Sequence, residues 1–144
     1  MYKSSSIICR DRCVSGSFFS PGEPGDIKEA LRRVWCRETA YPSLQAAWSE
    51  GNPALGQCAV TALVVQDLLG GTFAKNKKYN HVWNILPNGT EQDYTREQFV
   101  GDATLVVDEV LTRADILDSE GANRADTKRR YELLRKRFLY NNHS

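Results

Sequence analysis

Three residues of this chain have the types and the order that nucleophilic chemistry requires. Cys58 opens an apolar segment, Cys58–Leu69, that a Gly-Gly pair closes, and His81 and Asp93 follow it. Attack by a thiol on an acyl carbon needs an ionised sulfur, a base that exchanges protons with it, and a group that fixes the tautomer of that base. The three residues therefore predict a Cys58–His81–Asp93 catalytic triad.

The elements around these residues favour the same chemistry. Cys58 is expected at a helix N-terminus, where the helix dipole and an imidazolium neighbour lower a thiol pKa to roughly 3.5–7.5. Histidine suits the role of base because its ordinary pKa lies near neutrality. The backbone N–H of Cys58 is a candidate oxyanion donor. Further candidates for oxyanion or substrate positioning are Gln57, Asn52, Trp83 and Asn84.

Each residue also has a structural interpretation. A buried free cysteine is a common core residue, and a histidine beside a tryptophan is often a satisfied, half-buried side chain. Asp93 could instead cap a segment that starts at Thr95. A Cys/His/Asp metal site is a further alternative, although Cys9 and Cys13 lack a second ligand pair and no metal is expected there. The triad is preferred because the three residues come in the right order on suitable elements.

The hydrophobic pattern predicts how these residues are positioned. Helical spacing predicts a first helix over residues 26–36 and a terminal helix over 124–139. The unbroken apolar run that a Gly-Gly pair ends favours a central helix that begins at or just before Cys58, with a strand as the alternative because of its β-branched residues. Alternation and an Asn-Gly turn predict an antiparallel hairpin with strands at 81–86 and 90–94, and a further strand at 105–107. Residues 1–25 are expected to be a flexible or irregular arm, and residues 26–144 one domain.

Composition narrows the functional classes. The chain has 144 residues with 41% hydrophobic and 26% charged residues, which is typical of one soluble globular domain. A net charge of +1 does not favour nucleic acid or an acidic membrane as partner. The basic residues at 128–130 and 135–137 are interpreted as the solvated face of a helix. Without a Gly-rich phosphate loop or a signal peptide, we expect no cofactor and a cytoplasmic location with free thiols.

The sequence resembles the bacterial YunG-like proteins. The resemblance lies in residues 52–67 around Gly-Gln-Cys, the following Gly-Gly pair, and residues 81–84, 86–91, 93, 95–99 and 130–134. More distantly it is similar to papain-like and transglutaminase-like cysteine enzymes. That similarity implies acyl transfer by the Cys, His and Asp at positions 58, 81 and 93.

Taken together, the sequence predicts a single α+β domain with a central Cys-bearing helix packed on a small antiparallel sheet, of papain-like or transglutaminase-like type. The predicted function is thiol-dependent acyl transfer, as an amide or peptide hydrolase, a deamidase or a transglutaminase-type enzyme. An amide- or ester-containing small molecule or peptide is the expected substrate, with no nucleic acid or membrane partner. A non-catalytic binding module of the same fold is the alternative, and the oligomeric state is left open.

Overall fold

The computed structural model describes residues 24–99 and 105–141. In these two stretches the chain forms five α-helices: α1 (Pro24–Val34), α2 (Cys58–Leu69), α3 (Arg113–Leu117), α4 (Glu120–Arg124) and α5 (Thr127–Asn141). Four strands lie between α2 and α3, namely β1 (Thr72–Asn76), β2 (His81–Ile85), β3 (Glu91–Gln92) and β4 (Glu109–Leu111). Short 3-10 helices occur at Arg37–Thr39, Pro42–Ala47 and Arg96–Gln98.

The four strands form one antiparallel sheet in the order β3-β2-β1-β4. β1 and β2 pair along their whole length, from Thr72 opposite Ile85 to Asn76 opposite His81. Gly71 enters this pair with φ of +91°, and a Cβ there would lie 2.1 Å from the Ile85 carbonyl oxygen. Only glycine avoids that clash, so the Gly-Gly pair both ends α2 and admits β1 to the sheet.

The core lies between the sheet, α2 and α5. Six consecutive residues of α2, from Val60 to Val65, are buried, because this helix is apolar on nearly all sides. Phe73 of β1 and Leu134 and Phe138 of α5 are among the residues that pack into the same cluster. The prediction of an α+β domain with a central Cys-bearing helix against a small antiparallel sheet is therefore confirmed.

Several element boundaries differ from the predictions. α1 begins at Pro24, two residues early, because proline is well suited to a first helical turn, where its missing N–H costs nothing. The strand expected at 90–94 is shortened to Glu91–Gln92, since the chain turns at Tyr94 and Thr95. The strand expected at 105–107 is wrong, because β4 begins only at Glu109. The carbonyl of Val106 accepts a hydrogen bond from the Asn76 side chain at 3.0 Å, in place of a strand partner.

The interpretation of residues 128–130 and 135–137 as a solvated face is wrong for Arg130. Its side chain is 1% exposed. Nε and Nη1 each donate to a backbone carbonyl at 2.9 Å, those of Ala125 and Thr39. Arg130 thus ties α5 to the 3-10 turn at Arg37–Thr39, a structural use of arginine that helical spacing alone does not reveal.

Two further sequence predictions concern the N-terminal arm and the membrane. Most of the expected arm, residues 1–23, lies outside the described residues. Among the residues that are described, no helix is long and apolar enough to cross a membrane.

Candidate active site

Cys58 is the first residue of α2, and a tight turn sets its position. Two residues earlier, Gly56 has φ of +73°, and its carbonyl accepts a hydrogen bond from the Tyr41 backbone N–H at 2.8 Å. A Cβ on Gly56 would lie 2.9 Å from that same nitrogen. Glycine is therefore required for the chain to turn into α2 here, with the half-buried Cys58 at the positive end of the helix.

The sulfur of Cys58 lies against the open edge of β2. Leu86 donates its backbone N–H to Thr90 across the hairpin at 2.8 Å, so every second N–H along β2 points to the β3 side. Because β3 ends at Gln92, the N–H of Val82 has no strand partner on this side. Its partner is the sulfur of Cys58. The Cys58 sulfur thus takes the position in which a backbone carbonyl of a longer β3 would accept the N–H of Val82.

His81 connects the thiol to Asp93. Its imidazole is 1% exposed and hydrogen-bonds to Cys58. Its Nε2 lies 2.8 Å from Oδ2 of Asp93, which leaves Nδ1 as the nitrogen that faces the sulfur. The structure therefore places Cys58, His81 and Asp93 in one continuous chain of hydrogen bonds, in the order that a thiol, a base and an orienting acid would need.

Asp93 also has the capping contact that was weighed as its structural alternative. Its Oδ1 accepts from the backbone N–H of Thr95 at 3.2 Å and from the Thr95 hydroxyl at 3.3 Å. The other oxygen, Oδ2, is left for His81. The two interpretations are compatible, because the turn at Thr95 fixes the carboxylate that holds the imidazole.

The electrostatics of the site favour an ion pair. Burial opposes ionisation of the Cys58 thiol, but the hydrogen bond and charge of His81 outweigh it and lower the pKa of the thiol. Burial likewise disfavours the imidazolium, but hydrogen bonds to Asp93 and Cys58 raise the pKa of His81 to about 9. Both shifts act in the direction of a thiolate beside an imidazolium.

Aromatic side chains enclose the imidazole. Trp83 stacks on His81 at a centroid distance of 5.6 Å, and Phe99 meets it edge-on at 4.7 Å. Tyr79, 40% exposed, extends this wall to the surface. Trp83 donates its indole N–H to Glu91 at 2.9 Å. The wall shields the base from water, and at Tyr79 it presents an aromatic surface to the solvent.

The other predicted positioning residues, Asn84, Gln57 and Asn52, make hydrogen bonds within the protein. Asn84 is buried and donates its amide to the Ala62 carbonyl of α2 at 3.0 Å, where it joins helix and sheet. Gln57 is fully buried, and its amide accepts from Thr39 at 2.7 Å and donates to the Cys36 carbonyl at 3.0 Å. Asn52 belongs to the preceding turn and donates its backbone N–H to Ser49 at 3.1 Å. Their roles toward a substrate stay predictions.

Two residues of the site were missed at the level of sequence. Phe99 and Gln98 were not named as candidate site residues and occurred only within residues 95–99 of the family resemblance. Gln98 accepts a hydrogen bond from the Gly56 backbone N–H at 3.2 Å, across 42 residues of sequence. No local pattern signals a contact of that range. The sequence indicated their place in the site only through their position shortly after Asp93 and Thr95.

Metal ligation was the remaining alternative for these residue types. Over residues 24–99 and 105–141, no three His, Cys, Asp or Glu side chains are grouped so as to hold a metal ion. Cys9 and Cys13 lie outside these ranges.

Comparison with known proteins identifies the family. A family model described as YunG protein matches residues 23–142. A curated relative, described as an uncharacterized protein YunG of Bacillus subtilis (strain 168), is 40% identical over 75 residues. That segment is 51% of this chain and 60% of the relative's length. No solved structure matches. Because the family model covers most of the chain, the protein belongs to the YunG family, which confirms the resemblance noted in its sequence.

Proposed function

We propose that this YunG-family protein is a thiol-dependent acyl-transfer enzyme. The observation that carries the proposal is the unbroken series of contacts from Cys58 through His81 to Asp93. A structural cysteine needs no buried imidazole beside it, and a capping aspartate does not need its second oxygen on that imidazole. A nucleophile, a base and an orienting group account for all three at once.

In the first half-reaction, the thiolate of Cys58 adds to the carbonyl carbon of a carboxamide or an ester. The π electron pair of the carbonyl moves to its oxygen and gives a tetrahedral oxyanion. As the carbonyl re-forms, the bond to the leaving group breaks, and the imidazolium of His81 gives that group its proton. An amine or alcohol departs, and a thioester at Cys58 remains.

In the second half-reaction, neutral His81 takes a proton from the incoming nucleophile while that nucleophile attacks the thioester. Water yields a carboxylic acid, and a primary amine yields a new amide. In both cases the thiolate and imidazolium are restored, so protons and electrons balance over the cycle. Throughout, Asp93 keeps Nε2 of His81 engaged and Nδ1 directed at the sulfur.

The finer likeness to papain-like and transglutaminase-like enzymes is part of this proposal. Support comes from a nucleophile at the start of a buried central helix, with the base at the start of β2 and the acid directly after β3. The expected substrate is a small molecule or peptide with an amide or ester group. The aromatic wall formed by Trp83, Phe99 and Tyr79 favours an apolar group next to the acyl carbon.

Acylation by p-nitrophenyl acetate tests the proposal, because an activated ester needs no specific leaving-group recognition. We expect a stoichiometric burst of p-nitrophenol and an acetyl group at Cys58 by peptide mass spectrometry. Cys58→Ser should slow the burst by roughly 10⁴-fold or more, since a hydroxyl beside the imidazole is not ionised. Cys36→Ala is the matched control: this second thiol is 1% exposed and should be dispensable for the burst.

A burst that survives Cys58→Ser, or acetylation spread evenly over the four cysteines, would contradict the proposal. The non-catalytic binding module would then be the better description of the fold. If the burst is seen, release of ammonia or amines from primary carboxamides and peptides distinguishes deamidation from peptide hydrolysis.

A further inference from the structure

Gln98 lies between the two halves of the candidate active site. It ends the 3-10 helix Arg96–Gln98, and its neighbour Phe99 packs edge-on against His81 at 4.7 Å. Its own Oε1 reaches across to accept the backbone N–H of Gly56, two residues before Cys58. The Gln98 side chain therefore bridges the segment that carries the acid and the turn that positions the nucleophile.

The other end of this amide is a buried donor without an acceptor. Nε2 of Gln98 is shielded from solvent and has no hydrogen-bond partner among the described residues. The hydrogen bond from Gly56 to Oε1 restrains the orientation of the amide, with Nε2 on its shielded side. Buried donors without acceptors are rare in folded proteins, so such an atom points to a group that binds there.

A second donor is available at Cys58 itself. The first backbone N–H groups of a helix have no intrahelical acceptor. At the start of α2, the Ala54 carbonyl is taken by Gln57 at 3.1 Å, and the described residues contain no acceptor bonded to the Cys58 N–H. This N–H is attached to the same residue as the nucleophilic sulfur, so it must lie close to any carbon that the sulfur attacks.

We propose that Nε2 of Gln98 and the backbone N–H of Cys58 form the oxyanion hole of this protein. The inference rests on the proposed acyl-transfer function and assigns the group that binds the acyl oxygen. When the thiolate adds to the carbonyl carbon, the electron pair that moves to oxygen is held by these two donors. When the carbonyl re-forms and the leaving group departs, the pair returns to the C–O bond.

Gln98 fits this role better than Gln57, the residue that adjoins Cys58 in sequence. Gln57 already uses both ends of its amide in buried hydrogen bonds to Thr39 and Cys36. Only one end of the Gln98 amide is in use, and that end sets the position of the free one. The Gln98 amide therefore has a donor left for the oxyanion, whereas the Gln57 amide is fully used in supporting the turn.

Two reactions of the same sulfur separate an oxyanion donor from a structural residue. Acylation by p-nitrophenyl acetate passes through an oxyanion, whereas alkylation by iodoacetamide is a displacement at a saturated carbon and does not. Gln98→Glu keeps an acceptor for the Gly56 N–H and removes the donor, and Gln98→Ala removes both. In both variants we expect acylation of Cys58 to fall about 10²–10³-fold, with alkylation at the same pH unchanged.

Equal losses in the two reactions would overturn the inference, because Gln98 would then act on the thiolate or on the fold. Unchanged acylation in Gln98→Glu would overturn it as well. If the wild type is rapidly alkylated at Cys58 but never acylated, the acyl-transfer function itself fails, and the oxyanion hole fails with it. Circular dichroism melting of each variant identifies a folding defect, and Gln98→Glu is the variant that keeps the anchor to Gly56.

Discussion

The two ends of helix α2 carry polar clusters of opposite character. The N-terminal end holds Cys58, His81 and Asp93. At the C-terminal end lies what we call the Asp67 cluster, which consists of Gln66, Asp67, Arg113, Tyr131 and Arg135. Both ends join the helix to its neighbours, and both combine an acid with a cationic group. They differ in how completely their hydrogen-bonding groups are satisfied.

In the Asp67 cluster, the donors pair with acceptors of the cluster. Arg113 donates to Gln66 and to the Tyr131 hydroxyl, each at 2.7 Å, and lies 3.1 Å from the Asp67 carboxylate. The Tyr131 hydroxyl in turn donates to Asp67. Burial and the nearby carboxylate raise the pKa of Tyr131, which therefore stays protonated. The cluster joins α2, α3 and α5 through these contacts.

At the N-terminal end, the polar groups are only partly satisfied. The Gln98 amide nitrogen has no acceptor among the described residues. The Cys58 sulfur interacts with the N–H of Val82 and with the imidazole of His81. The perturbed pKa values of Cys58 and His81 lie at this end too. An unsatisfied buried donor beside a thiol and an imidazole whose pKa values shift each other is typical of places where a protein acts on other molecules. The comparison therefore supports the proposed function at the N-terminal end of α2 and a structural role at the C-terminal end.

The largest effect that would sharpen this contrast is expected from Asp93→Asn. An amide cannot supply the carboxylate that raises the pKa of His81, and its own N–H groups favour the wrong imidazole tautomer. We expect acylation of Cys58 by p-nitrophenyl acetate to fall roughly 10³–10⁴-fold. The thermal midpoint should change little, because the amide oxygen can still accept from Thr95.

Retention of wild-type acylation in Asp93→Asn would reduce the acid to a turn residue and break the contrast between the two ends. Thr95→Val serves as a control for the turn, because it removes the hydroxyl contact at 3.3 Å and leaves the bond between His81 and Asp93 in place.

Asp67→Asn is expected to have a smaller effect, which lowers stability and leaves acylation unchanged. The carboxylate is 31% exposed, so solvent weakens its attraction to Arg113, and we expect a loss of about 1 kcal/mol in the free energy of unfolding. Urea denaturation followed by circular dichroism measures this loss. Acylation of Cys58 should be unaffected. A variant that keeps its stability but loses acylation would show that the Asp67 cluster also takes part in function.

The parts of the fold that local patterns govern were predictable from sequence. The apolar run closed by a Gly-Gly pair predicted a helix from about Cys58, and α2 spans Cys58–Leu69. The alternating residues before the Asn-Gly turn predicted β2, and hence the segment that carries His81. Asp93 was named as both a triad member and a cap, and in the structure its two oxygens make both kinds of contact.

The remaining features depend on contacts between distant segments. Gln98 acquires its place through a bond to Gly56, 42 residues away, and Arg130 is buried through a bond to Thr39, 91 residues away. β4 forms at Glu109 and not at 105–107, where the Asn76 side chain donates a hydrogen bond to the Val106 carbonyl, 30 residues away. Periodicity and charge describe a single segment, so they contain no information on such pairings.

The most direct test of the thiolate–imidazolium pair is the rate of Cys58 alkylation by iodoacetamide as a function of pH. Peptide mass spectrometry separates Cys58 from the other three cysteines, and His81→Ala is measured beside the wild type. We expect fast labelling that persists well below pH 7, since the pKa of the thiol is lowered, with His81 protonated up to about pH 9. His81→Ala should shift the transition upward. Slow labelling with a transition near the ordinary thiol pKa of about 8.5, indifferent to His81, would contradict the account.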